Sequence, residues 1–169
     1  LAGVLDGNES ARLNKHLVRE QQIASSAGAG YDSTARGPSL FFLEATPSAG
    51  RTVQEVEAAL RQEIAQLVKD GVSGDELKRV KVQVTAGEVY KLDSLFYQAM
   101  QLGEYAIAGL PPEALAGRVD KLRAVTAKEV QAVAQQWLQD DRLSVAELEP
   151  QALNAQPIRA NVPGVRHVN

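Results

Sequence analysis

The chain has no cysteine, so neither a disulfide nor a thiolate metal site can be built from it, and cysteine usage gives no redox compartment. Histidine is nearly as scarce. The only two, His16 and His167, lie far apart in sequence. The H-x-x-E-H and H-x-x-x-H spacings that put two imidazoles on one helix face are therefore missing, and no zinc site is expected within this chain. Aromatic residues make up 5% of the 169 residues, which leaves the core to Leu, Val, Ile and Ala. No apolar run approaches the roughly 20 residues that span a bilayer as a helix. A net charge of −3 lacks the cationic surplus with which a general nucleic-acid binder neutralises phosphates. No signal-like segment opens the chain, but it starts at Leu1, and LAGVLDG reads as the tail of a helix begun upstream. The chain is accordingly expected to be a fragment, preceded by a strand and the start of that helix, and the missing targeting segment carries no information on location.

The remaining composition, 44% hydrophobic and 23% charged, is ordinary for a globular domain. Residues 1–150 read as one α+β domain. Residues 151–169, with Pro157, Pro163 and Gly164 and no acidic side chain, read as an extended or flexible tail.

The most informative stretch is Leu13 to Tyr31, LNKHLVREQQIASSAGAGY. It begins as an amphipathic helix, expected over about Glu9–Gln21, with Leu13 and Leu17 one turn apart. From Ile23 the side chains become small. A strand of such residues packs little of its own, which points to a backbone or ligand lying close against it. Residues 23–34 and 39–46 form the two strands of an expected hairpin, turning at Ala35-Arg36-Gly37-Pro38. The consecutive Leu40, Phe41, Phe42 and Leu43 suggest that both faces of the second strand are covered.

Thr52-x-x-Glu55 caps a helix that carries Val53, Val56, Leu60, Ile64, Leu67 and Val68 and stops at Gly71. Ser73-x-x-Glu76 opens a long helix expected to reach Ala108, with Gly87 or Gly103 as the place for a break. Pro111-Pro112 starts a third helix, and Thr126-x-x-Glu129 caps a fourth through Val130, Val133, Ala134, Trp137 and Leu138. Leu143, Val145 and Leu148 alternate as a closing strand. The expected fold is α+β, with helices on one face of a small, mostly antiparallel sheet.

Candidate chemistry is thin. Gly28-Ala29-Gly30 lacks the following helix N-terminus that a phosphate cradle needs. Ser25, His16 and Glu20 share no spacing that favours a nucleophilic triad. His16 reads as a surface helical residue, as does His167 in the tail. Tyr90, Tyr97 and Tyr105 read as core and rim, Lys78, Arg79 and Lys81 as a solvated face, and Trp137 as the anchor of the fourth helix.

The ordered series of short stretches nevertheless resembles a known family. Ser10-Ala-Arg12-Leu13, then Leu17 and the small-residue strand, is followed by Glu44-Ala-Thr-Pro47. Gly71-Val-Ser-Gly-Asp-Glu76-Leu77-Lys-Arg-Val-Lys81, Val125-Thr-Ala-Lys-Glu-Val130 and Glu149-Pro150 come after it. Together they are similar to the second lobe of a half-molecule in the pitrilysin/insulinase family of zinc metallopeptidases, which includes the mitochondrial processing peptidases. The resemblance implies two such halves enclosing a chamber. Zinc, the H-x-x-E-H motif and its general base would lie in the first lobe of one half.

The facing half in this family often carries an arginine and a tyrosine in the pattern L-R-E-x-x-G-L-A-Y-S, which hold substrate and polarise its carbonyl. Matched at Leu17 and Ile23-Ala24, this chain has Val18 and Ser25 in those places, and Arg19 is one residue off. The resemblance thus implies a lobe with no catalytic or metal residue, paired with a second half or subunit as a homo- or heterodimer. Extended peptide would lie near Ser25, Ser26 and Gly28. Two alternatives stay open: a catalytically inactive scaffold subunit of the same family, as in respiratory-complex core proteins, and an unrelated α+β interaction domain. The alanine-rich composition leans toward a GC-rich bacterial genome, in which family members are often exported.

Overall fold

The computed structural model describes residues 1–150. The expected tail at 151–169, with His167, lies outside the described residues. Helix α1 (Ala2–Asp6) leads through a loop into a π-helical stretch (Asn14–Glu20) and then strand β1 (Ala24–Tyr31). Strand β2 (Phe41–Pro47) returns antiparallel to it, as a hairpin. Helices α2 (Val53–Asp70), α3 (Gly74–Lys91), α4 (Leu95–Ala108), α5 (Glu113–Ala116), α6 (Arg118–Ala124) and α7 (Ala127–Trp137) follow. The α+β architecture expected from the sequence is the one found.

The core lies between the hairpin and the helices. Val4 and Leu5 of α1, Leu13 and Leu17 around the π-helical stretch, Leu67 of α2, Leu77 of α3 and Ala134 of α7 meet there with Ala24 of β1. From β2, Phe41, Leu43 and Ala45 point into this cluster, while Phe42, Glu44 and Thr46 point away and are exposed. Only one face of β2 is covered, contrary to the expectation from its bulky run. Alternation set by the pleat outweighs bulk.

Local chemistry fixes the helix ends. The two threonine capping boxes form as read, with Thr52 accepting from the Glu55 amide and Thr126 from the Glu129 amide. The C-terminal carbonyls of α2 are satisfied from α7: Gln131 donates to Val68 and Lys69, and Gln135 donates to Val68. Gly71, at φ +73°, takes the left-handed turn that ends α2.

Four expectations are corrected. The long helix does break, but at Leu92-Asp93-Ser94 rather than at Gly87 or Gly103. Ser94 caps the new helix by accepting from the Tyr97 amide, and local capping decides where mid-helix glycines do not. The third helix divides at Gly117 into α5 and α6. Trp137 is 55% exposed, with Arg142 stacked 4.8 Å from its ring centre, so Val130 and Ala134 are what seat α7. The closing strand is absent: Leu143, Val145 and Leu148 are exposed, and among the described residues no strand lies alongside to bond them.

Arg12 joins the first third of the chain to the helices. Its Nε and Nη2 donate to the two oxygens of Glu76 at 2.7 and 2.8 Å, and Nη2 also donates to the carbonyl of Gly71 at 2.8 Å. Partial burial alone would push the Glu76 carboxyl up. The Arg12 hydrogen bonds and charge, with the Ser73 cap, outweigh it and hold Glu76 below the usual carboxylate range. A carboxylate held low in the folded state stabilises fully above its unfolded pKa of about 4.3, and that stability is lost as pH falls through the folded value. In urea denaturation, Glu76→Gln is expected to be less stable than the parent chain at pH 6. The gap should shrink steadily at pH 4 and pH 3; a gap independent of pH would show that the carboxylate charge does not matter here.

Candidate functional site

The junction between the π-helical stretch and β1 is where the resemblance places substrate-handling residues, and its geometry is unusual. The Gln21 amide donates to the His16 carbonyl five residues back, and the Ile23 amide reaches Leu17, both at 2.9 Å. Such wide turns are rare and are frequent at functional sites. The chain then passes through Gln22 at φ +52°, the one non-glycine residue in the left-handed region among those described. In the usual pattern, this place belongs to glycine.

The two positions that matter most are both occupied by side chains with other tasks. Val18 is half-buried and packs against the core. Ser25 sits at a bulge, where Ala24 pairs with Pro47 but Ser26 already pairs with Thr46. Its hydroxyl donates to the Thr46 carbonyl at 3.2 Å. Arg19 is exposed and Ser26 is exposed beside the bulge.

Gly28 is buried. A Cβ there would come within 3.2 Å of an Asp6 carboxylate oxygen and of a Glu44 oxygen. At Gly30 the ring of Phe42, its cross-strand neighbour, lies where a side chain would go. The close neighbours implied by a small-residue strand are therefore Phe42, Glu44 and Asp6 of the same chain. Asp6 does more: its Oδ2 accepts from the Ala29 amide at 3.2 Å and its Oδ1 from Asn14 at 2.9 Å. It ties the start of the π-helical stretch to β1.

His16 is not a plain surface residue. Its Nδ1 lies 2.8 Å from Oε1 of Glu63, whose side chain is only 5% exposed. The imidazole faces α2, and Glu20 lies toward Lys15 at 3.9 Å, so the paper triad of Ser25, His16 and Glu20 is not assembled. Nothing in the helical spacing revealed the His16–Glu63 pair, because Glu63 falls 47 residues later on a helix whose orientation only the fold sets.

A polar cleft of about 260 Å³ opens past the end of β1, lined by Tyr31, Asp32, Lys91, Gln101, Tyr105 and Arg118 among others. Its cations are already committed. Arg118 lies 3.2 Å from Glu88 and donates to the Tyr105 hydroxyl at 3.1 Å, and Lys91 sits 2.9 Å from Glu88. The seam ties α3, α4 and α6 together. Among the described residues, no three His, Asp or Glu side chains are grouped so as to hold a metal ion. The donor set of the described residues does not fit zinc.

The structure is an α+β lobe in which Val18 and Ser25 of the helix-to-strand junction are engaged by their own chain. The family model described as the peptidase M16 inactive domain matches residues 1–84 of this chain. No curated protein matches it. Among solved structures, a protease from Helicobacter pylori aligns with TM-score 0.78 and 18% identity, over 83% of this chain and 34% of its own. The inactive peptidase domain of a candidate zinc protease from Bordetella parapertussis aligns with TM-score 0.75 and 19% identity, over 90% of this chain and 82% of its own. A peptidase M16 inactive domain from Pseudomonas fluorescens aligns with TM-score 0.66 and 19% identity, over 80% and 32%. The chain thus spans about a third of the H. pylori and P. fluorescens chains. At these identities the likeness shows the fold.

A non-glycine residue in the left-handed region costs roughly 1 kcal/mol or more, which glycine avoids. Gln22→Gly is expected to raise stability by about 0.5–1 kcal/mol in urea denaturation, since its greater unfolded-state freedom offsets part of the relief. A loss of stability would mean that the Gln22 side chain holds the junction.

Proposed function

We propose that this chain is an M16 inactive domain, the second lobe of a zinc peptidase half-molecule. It would form part of the wall of a substrate chamber and contact a second half, with the zinc and its H-x-x-E-H motif in an upstream lobe. The observation that carries the reading is the junction itself. Where the family's pattern falls, this chain has a wide-turned helix, a left-handed residue and a following strand, while Val18 is packed into the core and the Ser25 hydroxyl is spent on Thr46. The scaffold is present and the reacting side chains are not. Extended peptide would pass the start of β1, where Ser25 and Ser26 are exposed. Gly28 would back this wall from beneath Asp6 and Glu44 rather than touch the peptide first.

The isolated chain is expected to bind no stoichiometric zinc by metal analysis after dialysis, and to hydrolyse no fluorogenic peptide library. Stoichiometric metal or clear turnover would overturn the placement. In the complete protein, an upstream H-x-x-E-H with bound zinc supports the peptidase, whereas its absence supports an inactive scaffold subunit. With an active complete protein, Ser26→Trp is expected to raise KM for peptide several-fold at unchanged zinc content; an unchanged KM would remove this strand from the substrate path.

A further inference from the structure

Two of the three buried side-chain atoms left without a hydrogen-bond partner among the described residues belong to one place, the polar cleft past the end of β1. One is Oε1 of Gln101, a residue only 7% exposed. Its Nε2 donates to Glu88 at 3.4 Å, but the oxygen accepts from nothing. A buried acceptor without a donor is costly, and such an atom calls for an explanation. The other is Nε of Arg118, which lies 3.2 Å from Glu88 but out of line for a hydrogen bond.

Arg118 is committed only in part. Its Nη1 donates to the Tyr105 hydroxyl, while its Nη2 has no partner among the described residues. Having accepted that bond, Tyr105 keeps its own O–H to donate. The other open groups of the cleft are acceptors. The Glu104 carboxylate is exposed and bonds to no side chain among the described residues. Asp32 accepts from the Thr34 amide and hydroxyl, both at 2.8 Å, and these bonds hold its carboxyl below the usual range. Lys91 offsets Glu88. What remains is one cation, Arg118, and two carboxylates, Asp32 and Glu104.

This mixture of charges selects the ligand. A simple anion would meet the two carboxylates, and a simple cation would meet the guanidinium. A peptide in mid-chain has no charge to place on either. A molecule with both charges close together uses every open group, because a carboxylate only accepts and an ammonium only donates. The cleft, at about 260 Å³, falls just short of the roughly 300–1,000 Å³ of drug-sized sites, which limits the ligand to one or two amino-acid residues. Met100 and the exposed ring of Tyr31 border the same cleft and suit an apolar side chain.

We propose that this cleft binds a zwitterionic α-amino acid with an apolar side chain, free or as a dipeptide, with its carboxylate on Arg118 and Tyr105 and its ammonium on Gln101 and Glu104. The inference goes beyond the peptidase reading and does not rest on it; its failure would leave the zinc and hydrolysis outcomes above unaffected.

Isothermal titration calorimetry of the 169-residue chain with L-leucine tests it, with L-leucinamide, N-acetyl-L-leucine and leucyl-leucine as the other arms. At about pH 6.5 an α-amino group, of ordinary pKa about 7.7–8.0, keeps its proton. The expected result is saturable binding of L-leucine. It should be about 10-fold weaker or more for leucinamide, which lacks the carboxylate, and for N-acetyl-leucine, which lacks the ammonium. Leucyl-leucine binding tighter than L-leucine would assign the site to short peptides, and weaker to the free amino acid. Glu104→Gln alters an exposed side chain that holds nothing in the fold. It is expected to weaken L-leucine about five-fold or more without weakening N-acetyl-leucine. Three results overturn the proposal: no binding of either zwitterion up to about 10 mM, a singly charged analogue that binds as well as L-leucine, or a Glu104→Gln chain that binds L-leucine like the parent.

Discussion

The interaction on which the rest of this lobe depends is the fork of Arg12. A guanidinium presents two parallel donors, and here they fall on both oxygens of Glu76 while one also reaches the Gly71 carbonyl. Glu76 is the third residue of α3, and Gly71 ends α2. One side chain therefore sets the angle between the two longest helices and docks the first segment against both. A lysine could match one of these contacts but not their planar arrangement. With Arg12 in place, Leu13 and Leu17 arrive over Leu67 and Leu77, and the core closes. The ion pair is only partly buried, so its contribution is one of register and geometry more than of net energy.

This also explains how much could be read from sequence. Elements with a local cause were legible. The Thr52–Glu55 and Thr126–Glu129 boxes, the Gly71 stop and the small-residue strand paired with a bulky one all rest on rules that span a few residues. What escaped reading was non-local. Glu63 looked like one more polar helical residue until the fold brought His16 to it, and Asp6 gave no hint that it would bond β1. The closing strand was expected from alternation alone, but alternation describes a strand's faces and not the neighbour that must accept its hydrogen bonds. Phe42 misled in a similar way: its bulk suggested a covered face, when its ring lies over the missing side chain of Gly30 on the open one.

The candidate site follows the same division. The resemblance located the junction and put Val18 and Ser25 at the places of the arginine and tyrosine, and the structure finds Val18 against the core and the Ser25 hydroxyl on Thr46. The backbone shape of the junction was not legible. The bulge at Ser25, the wide turn ending at Gln21 and the left-handed Gln22 are backbone features, which side-chain patterns do not announce. That backbone also carries Leu17, Ile23 and Ala24 into or against the core, so packing alone gives the chain a reason to hold it.

Asp6 has a further consequence. A two-stranded hairpin exposes the outer rim of each strand, and a rim of free amides is an invitation to other extended chains. On β1, the residues are too small to block such an approach sterically. By accepting from the Ala29 amide, Asp6 removes one of the donors an incoming strand would use and places a negative charge where that strand would run. The effect is selective along the strand: the end near Ala29 is guarded, and the end near Ser25 and Ser26 is not. A short length of edge is in this way left open without the whole strand being offered as a seed for aggregation.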